Sequence, residues 1–173
     1  MDKKPLLGIT MGDPTGIGPE IVAKVLNHDR VYSLCRPLIV GDLEAMRQGL
    51  EIAGASLKIN RVEHPKDGIY TPGTMDIYDL RNVKVDQLVH GKPSAMGGEV
   101  AYRAIEKVIE LAMHKEIDGT ITAPISKEAL HMAGYKYSGH TEIYAELTGT
   151  KDYTMMLAEG DIRVTHVSTH VSL

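Results

Sequence analysis

Phenylalanine and tryptophan are absent from the 173 residues, and eight tyrosines supply all of the aromatic side chains. The core must therefore be built from aliphatic residues and methionine, which is consistent with βα units. Cysteine is scarce as well, because Cys35 is the only one. A lone cysteine excludes a disulfide framework within the chain and a cysteine metal cluster.

The sequence also lacks an excess of positive charge and any long apolar segment. Lysine and arginine number 19 against 23 aspartates and glutamates, which gives a formal net charge of −4. This balance disfavours a general electrostatic grip on nucleic acid or an anionic membrane, since both need clustered positive charge. The sequence has no run of about 18 apolar residues, the length needed to cross a bilayer. No secretory signal follows the first lysines. We therefore expect a cytoplasmic protein with no nucleic-acid or membrane partner.

Apolar runs alternate with helical patterns along the first third of the chain. Runs at residues 5–10, 36–42 and 56–62 predict strands. A helical pattern begins at Pro19, which suits a first turn that needs no N–H, and a second helix ends at Gly54. This strand–helix–strand–helix–strand order predicts an α/β fold with a mostly parallel sheet and covering helices.

The remainder of the chain has a weaker pattern at first and a clearer one later. Residues 64–91 are rich in turn formers, with one candidate strand at 75–80. The later pattern predicts a long helix at 94–114, a strand at 117–124, a short helix at 126–134 and a helix at 139–149. Residues 153–171 predict a β-hairpin whose turn is Glu159-Gly160-Asp161.

The first candidate binding motif is "GDPTGIGPE", which follows the first strand. A tight loop of this kind can direct backbone N–H groups outward and hold an anion at a helix N-terminus. The glycine spacing matches neither a Rossmann fingerprint nor a Walker loop. The alternative is a turn that needs glycine only for positive φ, and the residues alone leave both interpretations open.

The second motif, "TAPISKEAL", places Ser126 and Lys127 near a helix N-terminus at the end of a strand. Ligands collect at this edge in α/β folds, and a lysine there can hold a phosphate or a carboxylate. The alternative is that Ser126 caps the helix and Lys127 is a solvated charge, and the residues alone favour this second interpretation.

The third motif, "YSGHTE", contains His140 and Thr141. Thr141 is predicted to cap the following helix, with Glu142 in its first turn. The helix dipole would disfavour the cationic form of His140 and leave a neutral imidazole that can hydrogen-bond a substrate. A lone histidine is more often structural than functional, so the motif by itself is weak.

Two histidines in "RVTHVSTHVSL" are the candidate metal ligands. The β-branched composition favours a strand, in which residues four apart share a face but lie about 13 Å apart. One ion with bonds near 2.0–2.1 Å cannot join them. At most one therefore binds a given metal, and His170 is a better candidate than His166 because it lies nearer the strand end.

Taken together, "GITMGDPTGIGPEI", "TAPISK", "SGHTE" and "THVSL" resemble the PdxA family of 4-hydroxythreonine-4-phosphate dehydrogenases, in order and approximate spacing along essentially all 173 residues. The resemblance implies a fold like that of the isocitrate and isopropylmalate dehydrogenases. It also implies a cytoplasmic homodimer that uses NAD or NADP and a divalent metal (Zn, Mg or Co). The implied reaction oxidises a phosphorylated 3-hydroxy acid, 4-phosphohydroxy-L-threonine, to a β-keto acid that loses carbon dioxide in pyridoxal 5′-phosphate synthesis.

The resemblance also assigns individual residues. His140 and Thr141 match the family's substrate-binding pair, and His170 matches the first of three metal-binding histidines. His166 matches no ligand position. Asp13 and Lys127 fall at cleft positions with no assigned catalytic role.

Family enzymes continue well beyond residue 173, so the resemblance implies that this chain corresponds to their N-terminal half. We expect a first α/β domain at residues 1–125. Residues 126–173 are then the incomplete start of a second domain for dimerisation and metal binding. Two alternatives stay open: a paralogue acting on D-threonate or D-erythronate 4-phosphate, and a non-catalytic half that only binds a phosphorylated metabolite.

Overall fold

The computed structural model describes residues 4–166. Its centre is a parallel sheet of five strands in the order β3-β4-β2-β1-β5. The strands are β1 (Leu6–Thr10), β2 (Arg36–Gly41), β3 (Lys58–Val62), β4 (Thr74–Asp79) and β5 (Gly119–Thr122). The prediction of an α/β fold with a mostly parallel sheet is confirmed.

Six α-helices connect and cover the strands: α1 (Gly18–Leu26), α2 (Asp29–Leu34), α3 (Leu43–Ala53), α4 (Ala95–Met113), α5 (Lys127–Met132) and α6 (His140–Leu147). Short 3₁₀ turns occur at Pro65–Asp67 and Val85–Gln87. The helix predicted to end at Gly54 does so, with Gly54 at a φ of 62°, a left-handed conformation that favours glycine. The six-residue α2 was not predicted, because it is too short to show a helical period.

Successive side chains of the central strands point to opposite faces of the sheet, so the core has two layers. Ile39 of β2 packs on one face with side chains of α1 and α3, such as Val22 and Leu50. Leu38 and Val40 pack on the other face with Val108 and other side chains at the α4 layer. Both faces of the sheet are covered, as parallel sheets require.

A third cluster joins α4 to the two helices that follow β5. Ile105 and Ile109 of α4 pack against Leu130 of α5 and Ile143 of α6, together with Tyr102. The contact with α5 is close, because a Cβ added at Gly98 would collide with the carbonyl oxygen of Ala129. The helices α5 and α6 are therefore fixed on α4; the proposed domain boundary at residue 125 stays a prediction.

The last described element is an antiparallel hairpin of β6 (Met156–Glu159) and β7 (Ile162–Thr165). Its turn includes Gly160, at a φ of 52°, which confirms the predicted position. Every residue of the two strands is exposed, including Leu157 and Ile162. Among the helices at residues 4–166, none is sufficiently long and apolar to span a membrane.

Candidate functional site

The carboxyl ends of the parallel strands form one edge of the sheet, where ligands bind in α/β folds. The loop after β1 carries Asp13, and the loop after β5 leads through Ala123 and Pro124 to α5. Because β1 and β5 are neighbours in the sheet, these two loops lie side by side. They form the candidate site together with His140, whose ring interacts with the backbone of Ala123.

Hydrogen bonds from two residues lock the two loops together. The N–H of Asp13 donates to the carbonyl of Pro124 at 3.0 Å, and the N–H of Ala123 donates to Oγ1 of buried Thr10 at 3.2 Å. Gly12 has a φ of 76°, and a Cβ there would collide with the Pro124 carbonyl oxygen. Glycine is thus required at residue 12 both for the backbone conformation and for the close approach.

The Asp13 carboxylate organises the loop from within. It is 4% exposed, and its Oδ1 accepts from the N–H and the hydroxyl of Thr15 at 2.8 and 2.7 Å. The N–H of Gly16 donates to the carbonyl of Asp13 at 3.1 Å. The prediction that this loop directs its N–H groups outward is therefore wrong for Asp13, Thr15 and Gly16, whose N–H groups all have protein acceptors. A buried carboxylate beside them also disfavours an anion.

His140 is the titratable group of this site whose pKa is shifted by its surroundings. It is the first residue of α6, half-buried, and its Nε2 is shielded from solvent with no hydrogen-bond partner. Burial lowers the pKa of His140, while the backbone of Ala123 acts in the opposite direction. The predicted neutral imidazole is thus supported, but its main physical cause is desolvation rather than the helix dipole.

A neutral imidazole carries its proton on one of its two ring nitrogens. With the proton on Nδ1, Nε2 keeps its lone pair and can accept a hydrogen bond from a bound hydroxyl.

Thr141 follows His140 in the first turn of α6 and is half-buried. The prediction that Thr141 caps this helix is wrong, because the N-cap position is Gly139 and no side chain caps it. Ser126, in contrast, does cap α5, with its hydroxyl accepting from the N–H of Ala129 at 3.2 Å. Lys127 is exposed at the start of α5, as the solvated-charge interpretation predicts.

Two aspartates at the same edge were not singled out from the sequence. Asp42 and Asp79 directly follow β2 and end β4, and both carboxylates accept backbone N–H bonds. An aspartate between a strand and a helix is a standard N-cap signal, and Asp42 caps α3. These groups build the edge of the sheet and leave the β1–β5 side as the candidate site.

Between residues 4 and 166, no three histidine, cysteine, aspartate or glutamate side chains come together as a set of metal ligands. His166 is half-buried directly after β7, and its carbonyl accepts from the Thr154 hydroxyl at 3.1 Å. His170, the predicted ligand, lies outside the described residues. The described side chains do not by themselves fit a divalent metal.

An apolar groove beside this site has the wrong chemistry for a phosphorylated acid. It occupies about 520 Å³ between α1 and the β1–β5 side of the sheet, and apart from Thr122 and Cys35 its lining is apolar. It is lined mainly by aliphatic side chains that include Leu7, Ile9, Ile21, Val25 and Ile121. A charged ligand would lose hydration there without gaining partners, so the candidate site is the polar edge beside it.

Comparison with known proteins decides the family. The family model described as pyridoxal phosphate biosynthetic protein PdxA matches residues 33–173. The chain belongs to the PdxA family. Among curated relatives, a D-threonate 4-phosphate dehydrogenase of Cupriavidus necator is 44% identical over 172 residues, which are 99% of this chain and 51% of the relative. A putative D-threonate 4-phosphate dehydrogenase of Symbiobacterium thermophilum is 44% identical, over 100% of this chain and 52% of the relative.

Solved PdxA structures share the fold. A 4-hydroxythreonine-4-phosphate dehydrogenase from Burkholderia phymatum superposes with a TM-score of 0.92 at 44% identity, over 99% of this chain and 52% of that one. One from Klebsiella pneumoniae superposes with a TM-score of 0.90 at 34% identity, over 100% of this chain and 53% of that one. The chain thus spans about half the length of the relatives that it matches.

Proposed function

We propose that this PdxA-family chain is part of an NAD- or NADP-dependent oxidoreductase that acts on a four-carbon, 4-phosphorylated hydroxy acid. The relatives described above are all named dehydrogenases of such acids. The single observation in the structure that carries the proposal is Nε2 of His140, a buried polar atom without a partner at the edge of the sheet where ligands bind.

His140 is proposed to bind the substrate. A neutral ring with its proton on Nδ1 accepts a hydrogen bond at Nε2 from the substrate hydroxyl, and this contact satisfies an atom that is otherwise desolvated without compensation. A bond of this kind orients the hydroxyl-bearing carbon for oxidation. Thr141, the next residue of α6, supplies a hydroxyl within the first turn and is proposed to bind the same substrate.

The rest of the proposed reaction follows from the chemistry of the substrate. Oxidation of the hydroxyl-bearing carbon requires a hydride acceptor, for which we propose NAD or NADP. The resulting β-keto acid loses carbon dioxide. A divalent metal is proposed as well, with His170 as one ligand, and its remaining ligands would come from beyond the residues of this chain.

Two of the candidate substrates differ at one carbon, and D-erythronate 4-phosphate is a third candidate. 4-Phosphohydroxy-L-threonine carries an ammonium group at C2, whereas D-threonate 4-phosphate carries a hydroxyl there. The names of the curated relatives, which are 40–44% identical to this chain, favour D-threonate 4-phosphate. The family description and the solved relatives favour the amino acid and hence a role in pyridoxal phosphate synthesis. In either case we propose a cytoplasmic homodimer.

The experiment that tests this proposal measures reduction of NAD⁺ and NADP⁺ at 340 nm with each acid, in the presence of Mg²⁺, Zn²⁺ or Co²⁺. Reduction with either acid, together with release of carbon dioxide, supports an oxidative decarboxylation. His140→Gln should remove most of the turnover, while His114→Gln should leave it unchanged, because His114 is exposed where α4 ends, before β5 begins. Binding of an acid without reduction of either cofactor would favour the non-catalytic alternative, and no binding would contradict the proposal.

A further inference from the structure

Helix α6, which carries His140, is held against the sheet side of the site at two levels. At its first residue, the ring of His140 faces the backbone of Ala123. One turn later, the hydroxyl of Tyr144 donates to Oγ1 of Thr120 at 2.8 Å. Thr120 lies on β5, three residues before Ala123, so both contacts join the same helix to the same strand and the loop that follows it.

Besides this bond to the sheet, α6 is held by its packing on α4. The helix has eight residues, its N-cap is Gly139 and no side chain caps it. A helix of this length is not stable alone and depends on packing, and its fully buried side chain, Ile143, contacts the α4 layer rather than β5. Within residues 4–166, the Tyr144–Thr120 bond is the one side-chain hydrogen bond between α6 and the sheet.

The surroundings of Tyr144 favour this hydrogen bond and leave its acceptor without a competing neighbour. Burial raises the pKa of the Tyr144 hydroxyl, so the phenol remains a protonated donor at physiological pH. In the sheet, Thr120 is paired with Gly8, which has no side chain to compete for its hydroxyl. The bond is partly buried, where the loss of a partner costs more than at an exposed position.

We propose that Tyr144 is a positioning residue for the substrate site: its hydrogen bond to Thr120 sets the height and rotation of α6, and thereby places His140 and Thr141 at the carboxyl edge of β5. The inference rests on the proposed function of His140. It differs from a purely structural role for Tyr144, because loss of the hydroxyl is expected to change the surroundings of the His140 ring more than the overall stability.

The test compares four variants with the unaltered protein. Tyr144→Phe removes the donor, Thr120→Val removes the acceptor, and the double variant removes both. Tyr135→Phe is the matched control: it is the same substitution, it removes a partly buried bond of the same length, 2.8 Å to Glu99, and its ring packs against the same side-chain cluster. Tyr135 does not link α6 to β5.

Two quantities are measured for each variant. The first is the pKa of His140, followed by NMR titration of the ring in the absence of substrate. The second is the Kd for D-threonate 4-phosphate and for 4-phosphohydroxy-L-threonine. We expect Tyr144→Phe and Thr120→Val each to raise the His140 pKa toward its ordinary value, because a loosened helix admits water to the ring. We expect each to raise the Kd for the acid by about three- to tenfold, which is the effect of losing one typical hydrogen bond.

The double variant should be no worse than either single variant, since both substitutions break the same bond. The inference is overturned if Tyr144→Phe leaves both quantities unchanged, or if Tyr135→Phe shifts them equally. The His140 titration needs no substrate. If neither acid binds the unaltered protein, the proposed function fails while the titration still decides the role of Tyr144; if the acids bind and the titration is unaffected, only the role of Tyr144 fails.

Discussion

Asp42 offers the sharpest test of how the edge of the sheet is built. Its carboxylate is 3% exposed and accepts four backbone hydrogen bonds. Oδ1 accepts from the N–H groups of Glu44 and Ala45 at 2.9 and 3.2 Å, which caps α3. Oδ2 accepts from the N–H groups of Asn82 and Val83 at 2.9 and 3.0 Å, which fixes the loop after β4. One side chain therefore joins the ends of two adjacent strands.

The expected cost of Asp42→Ala follows from this geometry. Loss of an N-cap costs about 1 kcal/mol, and each bond from the loop to a charged acceptor contributes about 1.5 kcal/mol. The sum is a loss of about 4 kcal/mol in the free energy of unfolding. Since a domain is typically stable by about 5–15 kcal/mol, this variant should lose between about a quarter and most of its stability.

Urea denaturation followed by circular dichroism and tyrosine emission measures this loss. Asp42→Asn keeps one carbonyl oxygen as an acceptor but places its amide NH₂ against two of the backbone N–H groups. It should therefore lose about half as much free energy of unfolding, near 2 kcal/mol. Asp29→Ala is the control: Asp29 is exposed in the first turn of α2, and its truncation should cost less than about 0.5 kcal/mol. A loss below about 1 kcal/mol for Asp42→Ala would refute the reasoning.

Further outcomes follow from other parts of the structure. The pKa of His140 is lowered in the folded protein, so the unfolded chain takes up the proton first as the pH falls. The free energy of unfolding should therefore decrease as the pH drops below about 6.5. His140→Gln should reduce this dependence of the urea midpoint on pH. Gly98→Ala should destabilise by more than about 2 kcal/mol, because its Cβ would collide with the Ala129 backbone. Gly54→Ala should cost only about 1 kcal/mol in the same assay, since it meets only a backbone penalty at a φ of 62°. Arg103→Ala should change the free energy of unfolding by less than about 1 kcal/mol, because its ion pairs are exposed.

The parallel α/β architecture was predictable because its strands are short apolar runs and its helices have clear ends. Pro19 lies in the first turn of α1, and Gly54 ends α3, as their chemistry requires. The strand order was not predictable. β4 lies between β3 and β2, and its position depends on side-chain packing across the sheet, which leaves no local signal in the turn-rich sequence around it.

The candidate site was predictable in its residue types and less so in its local bonding. His140 was singled out by its motif together with the family resemblance, and its buried Nε2 has no hydrogen-bond partner in the folded protein. The expectation that the loop at Asp13 directs its N–H groups outward was wrong. One acceptor, the Pro124 carbonyl, binds the N–H of Asp13 and is far away in the sequence. The prediction that Thr141 caps α6 was wrong because the N-cap position is Gly139, two residues earlier, and Thr141 lies inside the helix.

The most direct test of the central claim is the affinity for D-threonate 4-phosphate and 4-phosphohydroxy-L-threonine, measured by calorimetry for the protein, His140→Gln and His114→Gln. The account predicts that one of the acids binds, that His140→Gln weakens its binding at least tenfold, and that His114→Gln leaves it unchanged. Equal affinity in all three proteins would contradict the assignment of His140 as the substrate-binding residue.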